Sequence, residues 1–421
     1  MSAGAQKPGF RWKPGPGLLT GAADEDPSNI ATYSQVGAQF GYALSWTIPV
    51  LFPLVAAVQE ISARIGRVTG RGLTANLGRS YPKPLVVTLV ALLVIANVVN
   101  IGADLLAMGS GLSLVVGGPR LVYALLFAVL SVTLEVFIAY DRYARILKWG
   151  TLALLSYVAT AFSVHVHWGE ALRGLWPAVQ NHSSYTTALV AIAGTTISPY
   201  LFFWQSGQEV EIERASPDEH PLTTAPQEAS SELSRIRWDT YVGMGLSQLI
   251  AFFILVTAAA TLAVHGVRHI DTAVQAAQAL RPLAGRFTFW VFSLGLVATG
   301  LLSIPALSGA CAYAVSELVG WHGGLVSRPQ RARGFYAVVA LSTLAGALLD
   351  LLGINSMKAL YLSAVLNGLV AVPLLIMMML LGHRRDVMGR FALKGGLRYM
   401  GWAATVAMAA VGVSLIASWF S

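Results

Sequence analysis

Three consecutive acids, Asp24-Glu25-Asp26, are followed by Pro27, Ser28 and Asn29 inside a stretch that is otherwise apolar from Leu18-Leu19 to Val50. On an insertion scale an acid at the centre of a membrane helix costs about 3 kcal/mol, and a leucine returns only about 0.3–0.6 kcal/mol. Three acids therefore cancel most of such a helix's drive to insert, and they must face water, other helices or a cation. Pro27 supplies the means. It lacks a backbone donor and clashes with the preceding turn, so the helix opens beside Asp26. An opened helix is tolerated at membrane depth where it lines a cavity, and there it presents carbonyls to an ion. Asp26 and the Asn29 amide stand beside those carbonyls.

A second interruption matches the first. The run Gly194-Thr195-Thr196-Ile197-Ser198-Pro199-Tyr200 places a proline behind small and hydroxyl residues in the middle of another apolar segment. Proline-interrupted segments at corresponding places in two halves point to the substrate site of inverted-repeat transporters.

The elements that must position these residues follow from composition. The chain has 421 residues, 55% hydrophobic and 11% charged, with mean hydropathy +0.63. Soluble domains carry about 25% charged residues, so an integral membrane protein is expected. Residues 1–16 are rich in Lys, Arg, Pro and Gly and read as a cytoplasmic tail, with no cleavable signal. The lone Cys311 reads as a small buried packing residue. Apolar segments near the length of a span recur at roughly 17–43, 43–63, 84–112, 120–140, 145–165, 185–207, 240–264, 287–315, 334–353, 358–381 and 399–419. Eleven helices divide into a first five-helix repeat over 17–165, a second over 185–381 with a cytoplasmic loop at 209–238, and an added helix 399–419.

Loop charge tests the count. With the N-terminus inside, 22 of the 28 Lys and Arg residues fall in inside loops, and only Arg120, Arg173, Arg268, Arg281, Arg286 and Lys358 fall outside. The positive-inside rule then gives a cytoplasmic N-terminus and an external C-terminus. A pI near 9.6 reflects these dispersed topology residues and implies no nucleic acid. The acids Glu209, Glu211 and Glu213 read as a solvated helix end.

The segment Gly15-Pro-Gly-Leu-Leu…Asp26-Pro-Ser-Asn29-Ile…Gln35-Val-Gly-Ala resembles the first helix of the Nramp family of divalent-metal transporters. Gln59-Glu-Ile-Ser-Ala-Arg-Ile-Gly-Arg-Val-Thr-Gly70 is similar to that family's second helix and loop. Ala103-Asp104-Leu-Leu resembles its third, and Gly194-Thr-Thr-Ile-Ser-Pro-Tyr200 its sixth-helix motif. The resemblance implies an all-α membrane protein of LeuT-type fold, with an inverted five-plus-five repeat and the ion held between broken helices one and six. It implies Asp26 and Asn29 as metal ligands.

The departures narrow the expected substrate. Where the family places a methionine thioether before the sixth-helix proline, this chain has Ser198, and three residues earlier Thr195 offers a carbonyl. Thioethers favour soft transition metals, whereas carboxylate, amide, hydroxyl and water suit Mg²⁺ and Mn²⁺. The expected metal set is Asp26, Asn29, Thr195, Ser198 and Glu25. Ser198 acts directly, through water, or as a cap of the second half-helix. Asp24 and Glu25, adjacent on a helix, are expected to point apart, with one of them in the vestibule or outer shell. The family's acidic and histidine proton route is depleted: Ala31, Ala107, Tyr200 and Gln205 stand at its positions, and mainly Asp104 remains. This pattern resembles the Nramp-related magnesium transporter branch, which implies Mg²⁺ and Mn²⁺ import without proton coupling.

Asp24, Asp104, Tyr200, Gln205 and Asn367 are expected along the pathway or outer shell. Glu135 reads as a structural or interface residue, His165 and His167 as interfacial, and Ala103, Ala107 and Gly111 as a close-packing stripe. Alternatives are a proton-coupled Mn²⁺/Fe²⁺ transporter, an organic-solute or amino-acid permease of the same fold, and a metal-gated channel. Three acids beside the site would repel a substrate carboxylate. The residues show no nucleotide-binding loop, catalytic triad pattern or zinc-protease motif, so no enzyme and no cofactor are expected. The expected partners are the divalent metal and the lipid bilayer of a cell (inner) membrane. Oligomeric state is left open, a monomer being sufficient.

Overall fold

The computed structural model describes residues 15–138, 151–177, 183–216, 219–321, 323–349, 351, 353 and 355–418. Residues 1–14 of the expected tail, the inside cations Arg142, Arg145 and Lys148, and the first turns of the expected fifth helix lie outside the described residues.

The described elements are helical. The first span is broken, as its proline requires. α1 (Pro16–Asp24) and α2 (Pro27–Phe40) are separated by Glu25, with φ −79° and ψ 51°, and by extended Asp26. α3 (Thr47–Thr69) is followed by the short α4 (Leu73–Ser80), α5 (Lys83–Val116) and α6 (Arg120–Phe137). α7 (Leu155–Ser163) and α8 (Trp168–Arg173) close the first half. The sixth span is broken at Ile197-Ser198 into α9 (Ser183–Thr196) and α10 (Pro199–Ala215). α11 (Ala229–Ala258) runs into a π-helical turn at Ala259–Ala263. Short helical turns between Ala273 and Phe287 lead to α12 (Thr288–Val319), α13 (Arg333–Leu349), α14 (Ser356–His383) and α15 (Gly395–Ser418).

Eight of the described helical stretches, the broken sixth span among them, are long and apolar enough to span a membrane, and Leu152–Ser163 and Arg333–Leu349 are shorter apolar helices. The broken α1–α2 segment completes the eleven expected. Large apolar side chains such as Ile95, Leu126, Val129, Leu294 and Val406 project outward, each more than half exposed. That surface suits lipid and not water. The interior holds the polar residues instead.

α5 forms the centre of the scaffold, packed on α6, α12, α13 and α14. α1 lies along α11 with the backbones in close approach. A Cβ on Gly21 would sit 2.3 Å from Gly243 O, and one on Gly243 would sit 2.3 Å from Gly17 O. α9 meets α14 the same way, where a Cβ on Gly194 would lie 2.0 Å from Ala364 O. Each broken span is thus clamped through glycine by its first half. Asp239 on α11 accepts the N–H groups of Gly15 (3.1 Å) and Gly17 (2.6 Å), placing a carboxylate at the positive end of α1.

Two local expectations change. The interval 209–238 is mostly helix, since α10 reaches Ala215 and α11 begins at Ala229. Its acids are also not a solvated helix end. Buried Glu209 pairs with Arg235 at 2.5 Å. Glu211 accepts from Tyr313 Oη and from the N–H groups of Leu325 and Val326. Glu213 lies 3.8 Å from Arg67, whose side chain is fully buried among Glu213, Glu219, Glu228 and Glu232. Cys311 is buried, with Asn97 Nδ2 at 3.4 Å.

Candidate metal site

The two breaks meet. Extended Asp26 is the N-cap of α2: its Oδ1 accepts from Asn29 N (2.8 Å) and from Ser28 Oγ (2.6 Å). Its Oδ2 accepts from Asn100 Nδ2 on α5 at 3.1 Å. Ser28 Oγ also lies 3.3 Å from Thr195 Oγ1, which joins the first break to the second. Tyr33 Oη and Thr196 Oγ1 make a further link at 2.8 Å. Tyr200 donates to Ala23 O at 2.9 Å and ties α10 to the end of α1.

The second break is capped differently. Ser198 Oγ donates to the carbonyls of Gly194 (2.8 Å) and Thr195 (2.9 Å), so its hydrogen closes the end of α9 while its lone pairs remain unspent. Asn29 Nδ2 donates to Asp24 O at 3.1 Å and does for α1 what Ser198 does for α9.

Asp24 and Glu25 do not diverge. The helix ends at Asp24 and the Glu25 backbone turns, so both carboxyls reach Ser247 on α11. Ser247 Oγ lies 2.6 Å from Asp24 Oδ2 and 2.9 Å from Glu25 Oε1. Those two lengths place the carboxylate oxygens within about 5.5 Å of each other. At an effective dielectric of about 20, two full charges so placed repel by about 3 kcal/mol. One hydroxyl proton serves only one of them at a time.

The whole group is enclosed: Asp24, Glu25, Asp26, Asn29, Thr195 and Ser198 are each 0–3% exposed. No Lys, Arg or His among the described residues forms an ion pair with the three acids. Asp24 Oδ1, Glu25 Oε2 and Asn29 Oδ1 are buried without a hydrogen-bond partner. All three are acceptors, and buried acceptors left over together are complementary to a cation or ordered water. No cluster of three His, Cys, Asp or Glu side chains converges among the described residues. Neutral oxygens and water would have to complete any coordination shell, as Mg²⁺ accepts.

The outlying candidates make no hydrogen bond to the residues of either break among the described residues. Asp104 accepts from Ser303 Oγ at 3.1 Å, and its Oδ1 is unpartnered. Gln205 donates to Thr240 Oγ1 at 2.8 Å, deeper along α10. Asn367 is fully buried on α14 with neither amide atom bonded. Glu135 accepts from Ser308 Oγ of α12 at 2.6 Å. Sequence reasoning missed Ser28, Asn100 and Ser247. Asn100 had a signal, because Asn97, Asn100 and Asp104 form a polar stripe at helical spacing on the otherwise apolar α5.

The family model described as "Natural resistance-associated macrophage protein-like", Nramp, matches residues 17–418. The chain belongs to the Nramp family. A relative from Deinococcus radiodurans named "Divalent metal cation transporter MntH" is 27% identical over 402 residues, 94% of this chain and 87% of the relative. One of the same name from Verminephrobacter eiseniae is 28% identical over 388 residues, 90% and 82% of the two chains. Among solved structures, an Eremococcus coleocola manganese transporter superposes with a TM-score of 0.75 at 17% identity, covering 99% of this chain and 90% of that one. The nucleobase-cation-symport-1 family transporter Mhp1 in a closed conformation follows at 0.58 and 15% identity, covering 96% and 92%. These likenesses establish the LeuT-type fold of this Nramp member, with its first and sixth spans broken.

Proposed function

We propose that this Nramp member carries Mg²⁺, and Mn²⁺ alongside it, into the cytoplasm across a cell (inner) membrane by alternating access, without proton coupling. One observation carries the reading: the buried, unpartnered acceptors Asp24 Oδ1, Glu25 Oε2 and Asn29 Oδ1 cluster at the first helix break, which meets the second, and no basic residue pairs with its three acids. The names of the curated relatives, divalent metal cation transporters, support the substrate class.

The donors on offer are all oxygen. Asp26 supplies a carboxylate, Asn29 an amide oxygen, Ser198 and Thr195 hydroxyls and carbonyls, and Glu25 a second carboxylate one step toward α1. Ser198 in place of a thioether removes the soft ligand that favours transition metals. The site is closed at this stage of the cycle, which fits an occluded carrier. A cavity of ≈ 300 Å³ lined by Gln35, Gln39, Thr187, Asp271 and Lys358 reaches Ala31, two residues beyond Asn29. It is the natural approach from the end of the molecule that the charge rule assigns to the outside.

Asp26 Oδ2 accepts from Asn100, an amide that neither gains nor loses a proton in the working range, and among the described residues no hydrogen bond carries on from Asn100 to Asp104. That interruption supports uncoupled transport. A second reading, proton-coupled Mn²⁺ or Fe²⁺ transport, draws on the likeness to a manganese transporter and on the unpartnered oxygen of Asp104. Uptake of Mg²⁺ and Mn²⁺ into proteoliposomes tests the substrate: saturable Mg²⁺ flux with mutual competition is expected. Mn²⁺ flux that excess Mg²⁺ leaves untouched would remove the magnesium assignment.

A further inference from the structure

A second cavity, ≈ 520 Å³, opens at the basic end of the bundle, between the α3–α5 connection, the far end of α10 and the end of α12. Its charged lining is Arg71, Arg79, Lys83 and Arg214 against Glu211 and Glu317. Both acids are already spent on structure. Glu317 Oε2 accepts Ala75 N at 3.0 Å in the first turn of α4. Glu211 Oε1 accepts Tyr313 Oη (2.8 Å) and Leu325 N (2.6 Å), and its Oε2 accepts Val326 N (3.2 Å).

The four cations have no such partners. The side chains of Arg71, Arg79 and Lys83 make no ion pair or hydrogen bond among the described residues, and Arg214 has one long bond, 3.4 Å to Gly70 O. Partial desolvation, and then the neighbouring Arg79, hold the Arg71 guanidinium below its ordinary range. Four cations face two carboxylates, Glu211 and Glu317, both of which act on Arg214, so the lining keeps an excess of positive charge around an open volume in the range of small-ligand sites.

We infer that this cavity binds a phosphate-bearing anion. Two sources share that chemistry: the headgroup of an anionic phospholipid in the leaflet facing this end, and a soluble phosphate. Basic pockets at the cytoplasmic ends of membrane helices suit the former. The site joins two parts of the machine. Gly207 on α10 lines it and packs on the Tyr313 ring, where a Cβ would meet Cδ2 at 2.8 Å, and α10 leads back to the Pro199 break. An anion bridging Arg214 on α10 with Arg71 and Arg79 would restrain that half-helix against the α3–α5 connection. Binding stands independently of the transport reading.

The test uses the full chain in phosphatidylcholine nanodiscs without divalent metal. Thermal midpoints are followed while inorganic phosphate is added, and in discs containing increasing phosphatidylglycerol. A midpoint that rises with phosphate identifies a soluble anion, and one that rises only with phosphatidylglycerol identifies the headgroup; either supports the site. R71Q/R79Q should weaken the half-saturating concentration about thirtyfold, at about fivefold for each cation removed. K394Q/R398Q, which removes two exposed cations elsewhere at the same end, should behave as the unaltered chain. If R71Q/R79Q fails to fold, K83Q should show the single fivefold loss. No response to either probe, or an equal loss in K394Q/R398Q, overturns the inference.

Discussion

Asp26→Asn separates the charge of Asp26 from its structural bonds. The amide oxygen can keep the Ser28 and Asn29 bonds now made by Asp26 Oδ1. At the other position the new NH₂ would meet Asn100 Nδ2, donor against donor, at 3.1 Å. Asn100 Oδ1 is buried and unpartnered, so a flip of the Asn100 amide restores that bond. The variant should therefore fold with a thermal midpoint close to that of the parent. The cation loses a full charge. A dication and a carboxylate about 4 Å apart attract by about 8 kcal/mol at an effective dielectric of about 20. Even if ion dehydration cancels about three-quarters of that, the remaining ~2 kcal/mol raises Kd about thirtyfold. Calorimetric titration with Mg²⁺ reads the affinity, and gel filtration with thermal melting reads the fold. Asp26→Ala is the contrast: it also removes the cap and strands the Asn100 donor, costing about 0.5–2 kcal/mol of stability for the cap alone. Unchanged Mg²⁺ affinity in a folded Asp26→Asn protein would refute the placement of the ion.

Ser198→Met restores the soft donor and removes the hydroxyl that closes the end of α9; competition assays should show Mn²⁺ and Cd²⁺ gaining on Mg²⁺ by about tenfold or more, and an unchanged selectivity order would remove Ser198 from the shell. Arg67→Met leaves Glu213, Glu219, Glu228 and Glu232 without their shared cation, and should cost about 3–5 kcal/mol, seen as a lower thermal midpoint in detergent. Gly21→Val drives a side chain into the Gly243 carbonyl and should abolish the packed α1; a well-folded variant with normal flux would contradict the close approach of α1 and α11.

Much of this was legible because membrane physics leaves strong marks. Prolines at 27 and 199, each behind polar residues in an apolar segment, announced both breaks, since a spanning helix opens only where something answers its freed groups. The count of spans was legible from hydropathy and loop charge. The details that failed depend on backbone direction after a break. Asp24 and Glu25 were expected to point apart by helical geometry, but the helix ends between them and Ser247 receives both. The Glu209–Glu213 run looked solvated because its counter-charges, Arg235 and Arg67, arrive from other helices. Ser198 was also offered as a cap of the following half-helix; its hydrogen instead closes the preceding one, a choice between near-equivalent partners that sequence does not encode.

The central claim is an oxygen-lined site that moves a hard dication without moving protons. Its most direct test records Mg²⁺ entry and internal pH together in proteoliposomes, with and without an imposed proton gradient. The account predicts saturable Mg²⁺ uptake, indifferent to the gradient and with a silent pH trace. Acidification that tracks metal entry, or uptake driven by external acid, would contradict it.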